Sequence, residues 1–380
     1  MPTEIDDWTT AIHTGDAVDT LAELPESSVH MVMTSPPYFG LRDYGVDGQI
    51  GLEESLDEYI EELVDVFRGV RRVLRPDGSA WLNLGDSYDG GKNKMLVPHR
   101  VAIALQDDGW IVRNDVTWAK PNPMPQSVKD RLNDTTEQVF HLVPEPDYFY
   151  DLDAIREPHT ERSIERMGEG PVNADTDGRG TNDDPNPDQL CDPAGKNPGD
   201  VFEVTTKPFP EAHFAVYPPE LVEKPLKATC PPKVCAACGS PYEREVERKT
   251  PTWDDVRDSR RELEFTDQDE TTGMRRGSPA AQMRGPDYNE WKSNNPDEFK
   301  GWTPTCDCDT DATEARIALD PFAGAGTTCL VAKRHGRRFI GVDLNEEYVA
   351  MAQKRLGLTV DNPEYVREDD VVGLEAFADD

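Results

Sequence analysis

Ser35-Pro36-Pro37-Tyr38 directly follows an apolar run ending at Met33-Thr34. Neither proline can donate to a sheet ladder, so the chain must leave the sheet along a fixed path. The Ser35 hydroxyl and the Pro36 carbonyl then stand as two hydrogen-bond acceptors beside the aromatic face of Tyr38. They lie at the strand end where open α/β sheets bind ligands. A rigid exit loop with a packing tyrosine would give the same residues. A second chemical stretch is Asp320-Pro321-Phe322-Ala323-Gly324-Ala325-Gly326-Thr327-Thr328. Its glycines let a ligand lie against the backbone, facing helix N–H groups. Asp343 stands 19 residues past Gly324, a spacing that suits hydrogen bonds to ribose hydroxyls. This pattern points to a nucleoside-containing cofactor, although Cys329 occupies the third glycine position of a dinucleotide fingerprint. A tight turn packing helix on sheet is the plainer alternative. Third, Cys235-x₂-Cys238 and Cys306-x-Cys308 offer four thiolates, enough for a closed structural zinc site. Unliganded thiols are the alternative there, and no histidine nearby suggests a catalytic metal.

The elements that position these residues follow from periodicity. Ala11 to His13 predicts a strand ending at Gly15-Asp16, then a short helix through Leu21 and Leu24, then a strand over Val29 to Met33. Ser55 and Glu58 make a capping box for a helix whose apolar positions run from Leu56 to Leu74, stopped by Arg75-Pro76-Asp77-Gly78. Ala80 to Leu84 and Ile111 to Trp118 read as strands, and Val139 to Val143 with Tyr148 to Leu152 as a late pair. After Arg316 come a strand over Ile317 to Leu319, the glycine turn and its helix, a strand over Phe339 to Val342, and a last helix capped by Asn345. The alternation predicts an α/β fold, a doubly wound and mostly parallel sheet covered on both faces. The strand–helix–strand unit that normally begins such a fold stands last, so the fold is expected to be circularly permuted.

Together, the SPPY corner and the DPFAGAGTT turn strongly resemble the S-adenosylmethionine-dependent DNA amino-methyltransferases, in the permuted order of their β class. His13-Thr14-Gly15-Asp16, Trp118 to Pro123 and His213 to Pro218 resemble further segments of that family. The likeness covers about residues 10–160 and 200–360. It implies a catalytic half over 1–160, a polar flexible insertion over 161–200, a returning segment over 201–233, a Cys-bearing insertion over 234–310, and a cofactor half over 311–380. It implies that Ser35, Pro36, Pro37 and Tyr38 form the catalytic corner. Asp343 would hold the ribose and Asp16 would lie near the adenine edge, while Asp320, Phe322, Gly324, Gly326 and Thr327 would cradle the methionine part.

The implied chemistry explains the residue types. An exocyclic amine is a poor nucleophile because its lone pair is delocalised into the ring. Acceptors at both its N–H groups, Ser35 Oγ and the Pro36 carbonyl, favour a tetrahedral nitrogen with a freed lone pair. The base must first leave the duplex, with Tyr38 stacking on it. Within the family, serine before Pro-Pro-Tyr marks N4-cytosine enzymes, whereas Asp or Asn more often marks N6-adenine. C5-cytosine chemistry needs a cysteine nucleophile, usually in a Pro-Cys pair, and Cys230 precedes Pro231-Pro232 instead. A rival of another class is a catalytically idle DNA-binding protein that retains the fold.

Composition sets the remaining expectations. The 36% hydrophobic share is enough for a core, no run approaches a membrane span, and MPTEIDDWTT lacks signal-peptide character, so a cytoplasmic protein is expected. Net charge is −35, with acidic residues spread along the chain, as expected of a protein adapted to concentrated salt. At ~1 M salt the screening length is only ~3 Å, so this charge hardly opposes binding to double-stranded DNA. Gly168 to Asp200, with eleven Gly or Pro and seven Asp, is expected to be loop. Arg257, Arg260, Arg261, Arg275, Arg276 and Arg284 are candidate DNA contacts, with pairing to neighbouring carboxylates as the equal alternative. Whether a cognate restriction endonuclease accompanies the protein is left open by the sequence, as are the recognised bases and the oligomeric state.

Overall fold

The computed structural model describes residues 4–159, 195–207, 216–252, 254–255, 291–292, 294–295 and 297–358. The six candidate arginines, His213 to Ala215 and most of the Gly168 to Asp200 stretch lie outside them. The chain forms two compact units. One comprises Met1–Asp151, Gly199–Glu243 and Pro304–Asp380, and the other Leu152–Pro198 and Arg244–Thr303.

The first unit is built on a mixed sheet of eight strands. They are β1 (Ala11–Thr14), β2 (Val29–Thr34), β3 (Leu74–Leu84), β4 (Ile111–Ala119), β5 (Thr136–Val143), β6 (Val201–Glu203), β11 (Ile317–Asp320) and β12 (Arg338–Asp343). Their spatial order is β1-β12-β11-β2-β3-β5-β4-β6, with β5 antiparallel to both its neighbours and every other pairing parallel. Strand β11 is thus late in sequence and central in space, beside β2, with Ala318 opposite Met31 and Leu319 opposite Val32. That is the permuted arrangement the motif order predicts.

Period-two alternation sends each strand's side chains to two separate cores. Val32, Leu82, Phe140, Leu319 and Ile340 face one core with helices α1 (Ala17–Glu23), α2 (Leu56–Val73) and α3 (Val97–Asp107). Met33, Trp81, Val139, Ala318 and Phe339 face the other with α4 (Pro219–Thr229), α5 (Thr327–Arg334) and α6 (Glu346–Arg355). The capping box of α2 is present. Ser55 Oγ accepts the Glu58 N–H at 3.3 Å, and Glu58 returns the favour to the Ser55 N–H at 3.1 Å. No helix among the described residues is long and apolar enough to cross a membrane.

Three local expectations need correction. The strand β3 begins at Leu74, opposite Val29, earlier than the Ala80 start the pattern predicts; the helix does stop there, and Arg75 to Gly78 bulge out before pairing resumes with Ser79 opposite Met31. Tyr148 to Leu152 is no strand; Phe149 N–H donates to Asp77 O and Asp151 N–H to Ala228 O, while β5 pairs with β3 and β4. Helices α3 and α4 have no counterpart in the periodicity reading. Short pairs complete the elements: β7 (Val234–Cys235) with β10 (Thr313–Glu314), and β8 (Tyr242–Glu247) with β9 (Glu298–Pro304).

The chain leaves β11 toward α5 on one face, and β2 toward α2 on the other. Neighbouring parallel strands whose connections diverge leave a crevice at their carboxyl ends, the usual ligand site of such sheets. Gly326 closes this corner at φ 71°, where a Cβ would stand 3.0 Å from the Ala352 Cβ of α6. Gly326→Ala therefore combines left-handed strain with overpacking. We expect it to cost ~2 kcal/mol of stability by denaturant unfolding, with little change in the denaturant slope. A loss near zero would show that α6 yields freely.

Candidate functional site

The carboxyl ends of β1, β2, β11 and β12 open into one cavity of about 720 Å³, entirely within the first unit. At one end stand Gly15, Asp16, Phe322, Gly324, Asp343 and Tyr348. Asp343 Oδ2 accepts the Gly324 N–H at 2.8 Å and Oδ1 the Asn345 N–H at 2.9 Å. Each carboxylate oxygen keeps a further acceptor site, which suits a pair of ribose hydroxyls. Burial raises the Asp343 carboxyl above its ordinary pKa, against the pull of those two N–H bonds. Asp16 caps α1, its Oδ1 accepting from Val18 and Asp19 N–H at 2.8 and 3.1 Å. Gly324, at φ 50°, brings the backbone to the cavity wall without a side chain in the way. The carboxylate acceptors and the close backbone approach at this end suit a nucleoside with a polar tail.

The other end holds Ser35, Pro36, Pro37 and Tyr38 together with Asn83, Lys120 and Glu137. Tyr38 donates its hydroxyl to Glu137 Oε2 at 2.7 Å. Asn83 Nδ2 lies 2.8 Å from the Tyr38 oxygen, 2.9 Å from Glu137 Oε2 and 3.3 Å from Ser35 Oγ. Lys120 Nζ pairs with Glu137 Oε1. Burial, reinforced by the Glu137 carboxylate, holds the Tyr38 phenol well above its ordinary pKa, so it remains a neutral donor. Pro37 O accepts the Tyr59 hydroxyl of α2 at 2.9 Å, which fixes the corner to the first core. Gly85 lies against the tyrosine ring so closely that a Cβ there would stand 2.5 Å from Tyr38 Cε2.

Asp320 is fully buried and does not line the cavity, and neither does Gly326. Its Oδ1 accepts the Thr34 hydroxyl at 2.7 Å and the Phe322 N–H at 3.1 Å, and its Oδ2 the Tyr217 hydroxyl at 2.8 Å. Tyr217 also meets Thr328 Oγ1, which donates to Met33 O at 2.9 Å. One carboxylate thus joins the end of β2, the glycine turn and the segment before α4. The structure therefore brings Ser35 to Tyr38 and Asp16, Phe322, Gly324, Thr327 and Asp343 onto one cavity, with Asp320 and Gly326 behind its wall. Sequence reasoning assigned no role to Asn83 and Glu137. A lone asparagine inside the apolar run Ala80 to Leu84 was the one available signal. Thr34, Lys120 and Tyr217 stood in quoted motifs without a role.

Separately in the first unit, the Sγ atoms of Cys235, Cys238, Cys306 and Cys308 lie within 4.8 Å of one another. The Gly239 N–H returns to Cys235 O at 2.8 Å, with Gly239 at φ 70°, a knuckle turn that turns both thiols of the first pair inward.

Burial pushes the Asp320 carboxyl up to about 6, although Thr34 and Tyr217 donate to its charged form. The folded value lies above the unfolded one of 3.8, so this group favours folding at low pH and loses that contribution as pH rises from 3.8 through about 6. The stability of the protein relative to Asp320→Asn should therefore fall by ~2 kcal/mol between pH 4 and pH 7. Unfolding curves of both proteins across that range check this; a flat difference would exclude Asp320 as the titrating group.

A family profile described as DNA methylase, of the N6/N4 type, matches residues 29–235 and 312–354. The Type II methyltransferase M.SfiI of Streptomyces fimbriatus is 36% identical over 89% of this chain and 89% of its own length. M.XycI of Xanthomonas campestris pv. cyanopsidis is 31% identical over 90% of this chain and 86% of its own. Among solved structures, the PvuII DNA methyltransferase (cytosine-N4-specific) superposes with a TM-score of 0.53 over 92% of this chain and 86% of that one, at 17% identity, which shows a shared fold. With two converging corners, one cavity and these relatives, the chain belongs to the N6/N4 DNA methylase family.

Proposed function

We propose that the protein methylates cytosine N4 within a specific site of double-stranded DNA, using S-adenosylmethionine. The observation that carries this reading is the placement of Ser35 and the glycine turn on one cavity, with Ser35 Oγ held among Asn83 and Tyr38. When bound, the cofactor supplies an electrophilic methyl group. The chain's residues do the rest. Asp343 and Asp16 hold the nucleoside part, and the Phe322 to Thr327 turn lies along the tail. Ser35 Oγ and the Pro36 carbonyl accept the two amine hydrogens, which draws the lone pair out of ring conjugation. Tyr38, braced by Gly85 and Glu137, offers its face to the extruded base. Relatives named Type II methyltransferases support a sequence-specific site as substrate and a restriction-modification setting. Serine at position 35 supports cytosine over adenine. The −35 net charge supports concentrated salt as the working medium, where phosphate repulsion is screened within a few ångströms.

Nucleoside mass spectrometry of DNA incubated with protein and cofactor tests the target. N4-methylcytosine is expected; N6-methyladenine alone would overturn the cytosine assignment, and no methyl transfer with intact cofactor binding would favour the idle DNA-binding rival. Ser35→Ala should leave cofactor affinity within about twofold and lower turnover by ~100-fold, since it removes an acceptor used at the reacting nitrogen. Unchanged turnover would refute that role.

We also propose that Cys235, Cys238, Cys306 and Cys308 hold a structural zinc ion. Four thiolates at Zn–S distances of ~2.3 Å sit ~3.8 Å apart, a small contraction from the observed cluster. Metal analysis should find about one zinc per chain, and chelation should lower the unfolding temperature. Less than half an equivalent in freshly purified protein would count against it.

A further inference from the structure

The hydrogen bonds around Ser35 have a direction, and it is imposed from Glu137. Lys120 can only donate, and it occupies Glu137 Oε1. The ionised carboxylate can only accept, so Oε2 takes the one hydrogen of the Tyr38 hydroxyl at 2.7 Å. The same oxygen lies 2.9 Å from Asn83 Nδ2, which obliges the asparagine amide to present its NH₂ group to this cluster. Ser35 Oγ stands 3.1 Å from the Tyr38 oxygen. With the phenol's hydrogen already committed, only the serine hydrogen can bridge that distance. Asn83 Nδ2 has two hydrogens for the Tyr38 oxygen at 2.8 Å, Glu137 Oε2 at 2.9 Å and Ser35 Oγ at 3.3 Å, so toward the serine it offers at most a shared one, and only as a donor. The serine oxygen is left on the cavity wall with its hydrogen turned away and an acceptor site to offer.

We infer that Glu137 is a positioning residue which, through Tyr38 and Asn83, makes Ser35 an obligate acceptor toward the base and so selects an exocyclic amine over a carbonyl oxygen. The inference rests on the amine-methylation reading above. Cytosine presents an N4 amine, a donor, where uracil and thymine present an O4 acceptor. A serine free to rotate would donate to that oxygen and lose its share of the discrimination, leaving only the Pro36 carbonyl to oppose O4. A serine whose hydrogen is tied to Tyr38 meets O4 with acceptor against acceptor, which raises the cost of the wrong base.

Glu137→Gln tests this with almost no change of shape. Lys120 claims the amide oxygen, so the amide NH₂ faces Tyr38 and the row loses its terminal acceptor. Two duplexes are compared, carrying the methylated site with either cytosine or uracil at the target position. For the wild-type protein and for the variant, the readouts are duplex affinity, cofactor affinity and turnover on the cytosine duplex. Using the same two duplexes on both proteins cancels the easier opening of the mispaired uracil. The variant should lower the cytosine-to-uracil preference by about tenfold, and turnover by about 10- to 100-fold, with cofactor affinity within about twofold. An unchanged preference in a cofactor-binding variant would overturn the inference, since a merely loosened pocket weakens both duplexes together. If Glu137→Gln does not fold, Tyr38→Phe breaks the same row and must show the same fall in preference. A wild-type protein that methylates no amine would remove the underlying reading instead, before any variant is compared.

Discussion

Asp320 accepts a hydroxyl hydrogen from Thr34 at 2.7 Å across 286 residues of chain. This bond lies between the last residue of β2 and the last residue of β11, the two strands from which the catalytic corner and the glycine turn depart. Sheet pairing already sets these strands side by side, but pairing alone leaves each exit loop its own freedom. The buried carboxylate restrains it by taking donors from Thr34 at the very end of β2, from Phe322 in the glycine turn and from Tyr217. Burying a charge in this way opposes folding, as the raised Asp320 pKa shows. On the proposed function, the chain accepts that opposition at a point where methyl donor and acceptor must meet within fractions of an ångström, and where a small misplacement costs much of the rate.

The same logic extends along the cavity. At the end proposed for the cofactor, charged acceptors are satisfied by backbone N–H groups, which leaves them oriented but not exhausted. At the end proposed for the base the charges are internally balanced, Lys120 against Glu137, so a neutral base would meet dipoles of fixed direction and not a net field. Fixed direction matters more than strength here, because donor and acceptor patterns distinguish one base edge from another. The net charge of −35 therefore says little about the site; it acts on solubility and on approach to DNA, and salt screens it.

Much of this architecture is legible in the sequence, and the parts that are not share a physical cause. The strands β1, β2, β11 and β12 announce themselves because each is a short apolar run ending in Gly, Pro or Asp, and α2 because its capping box is local. Helix α3 gives no such signal, since Leu96 precedes it in a left-handed conformation and no side chain caps it. The segment from Tyr148 to Leu152 has strand-like composition, yet its backbone donors find Asp77 and Ala228, partners fixed only by tertiary packing. The motif residues of the site could be named from their types. Asn83 and Glu137 could not, because their role depends on strands β3 and β5 pairing antiparallel, with Asn83 opposite Val139. No spacing rule within either strand encodes that neighbourhood.

The second insertion poses the converse problem: how a long polar excursion can leave a sheet without loosening it. Val234–Cys235 pairs with Thr313–Glu314, and the Ala236 N–H donates to Ala312 O at 2.9 Å, so the chain departs and returns at one place. The Thr305 N–H adds a bond to Pro241 O at 3.2 Å. Closing a loop of this length carries an entropy cost that grows only slowly with further residues, so once the neck is closed the insertion can vary in length with little penalty to the sheet. Two short strands of two residues each are a weak clasp by themselves. With the zinc proposed above, the four cysteines converging beside that clasp would add what backbone pairing lacks there, a cross-link that does not depend on burying apolar surface. That requirement is acute in a neck whose Cys238 is exposed and whose neighbouring strands β8 and β9 carry alternating charge.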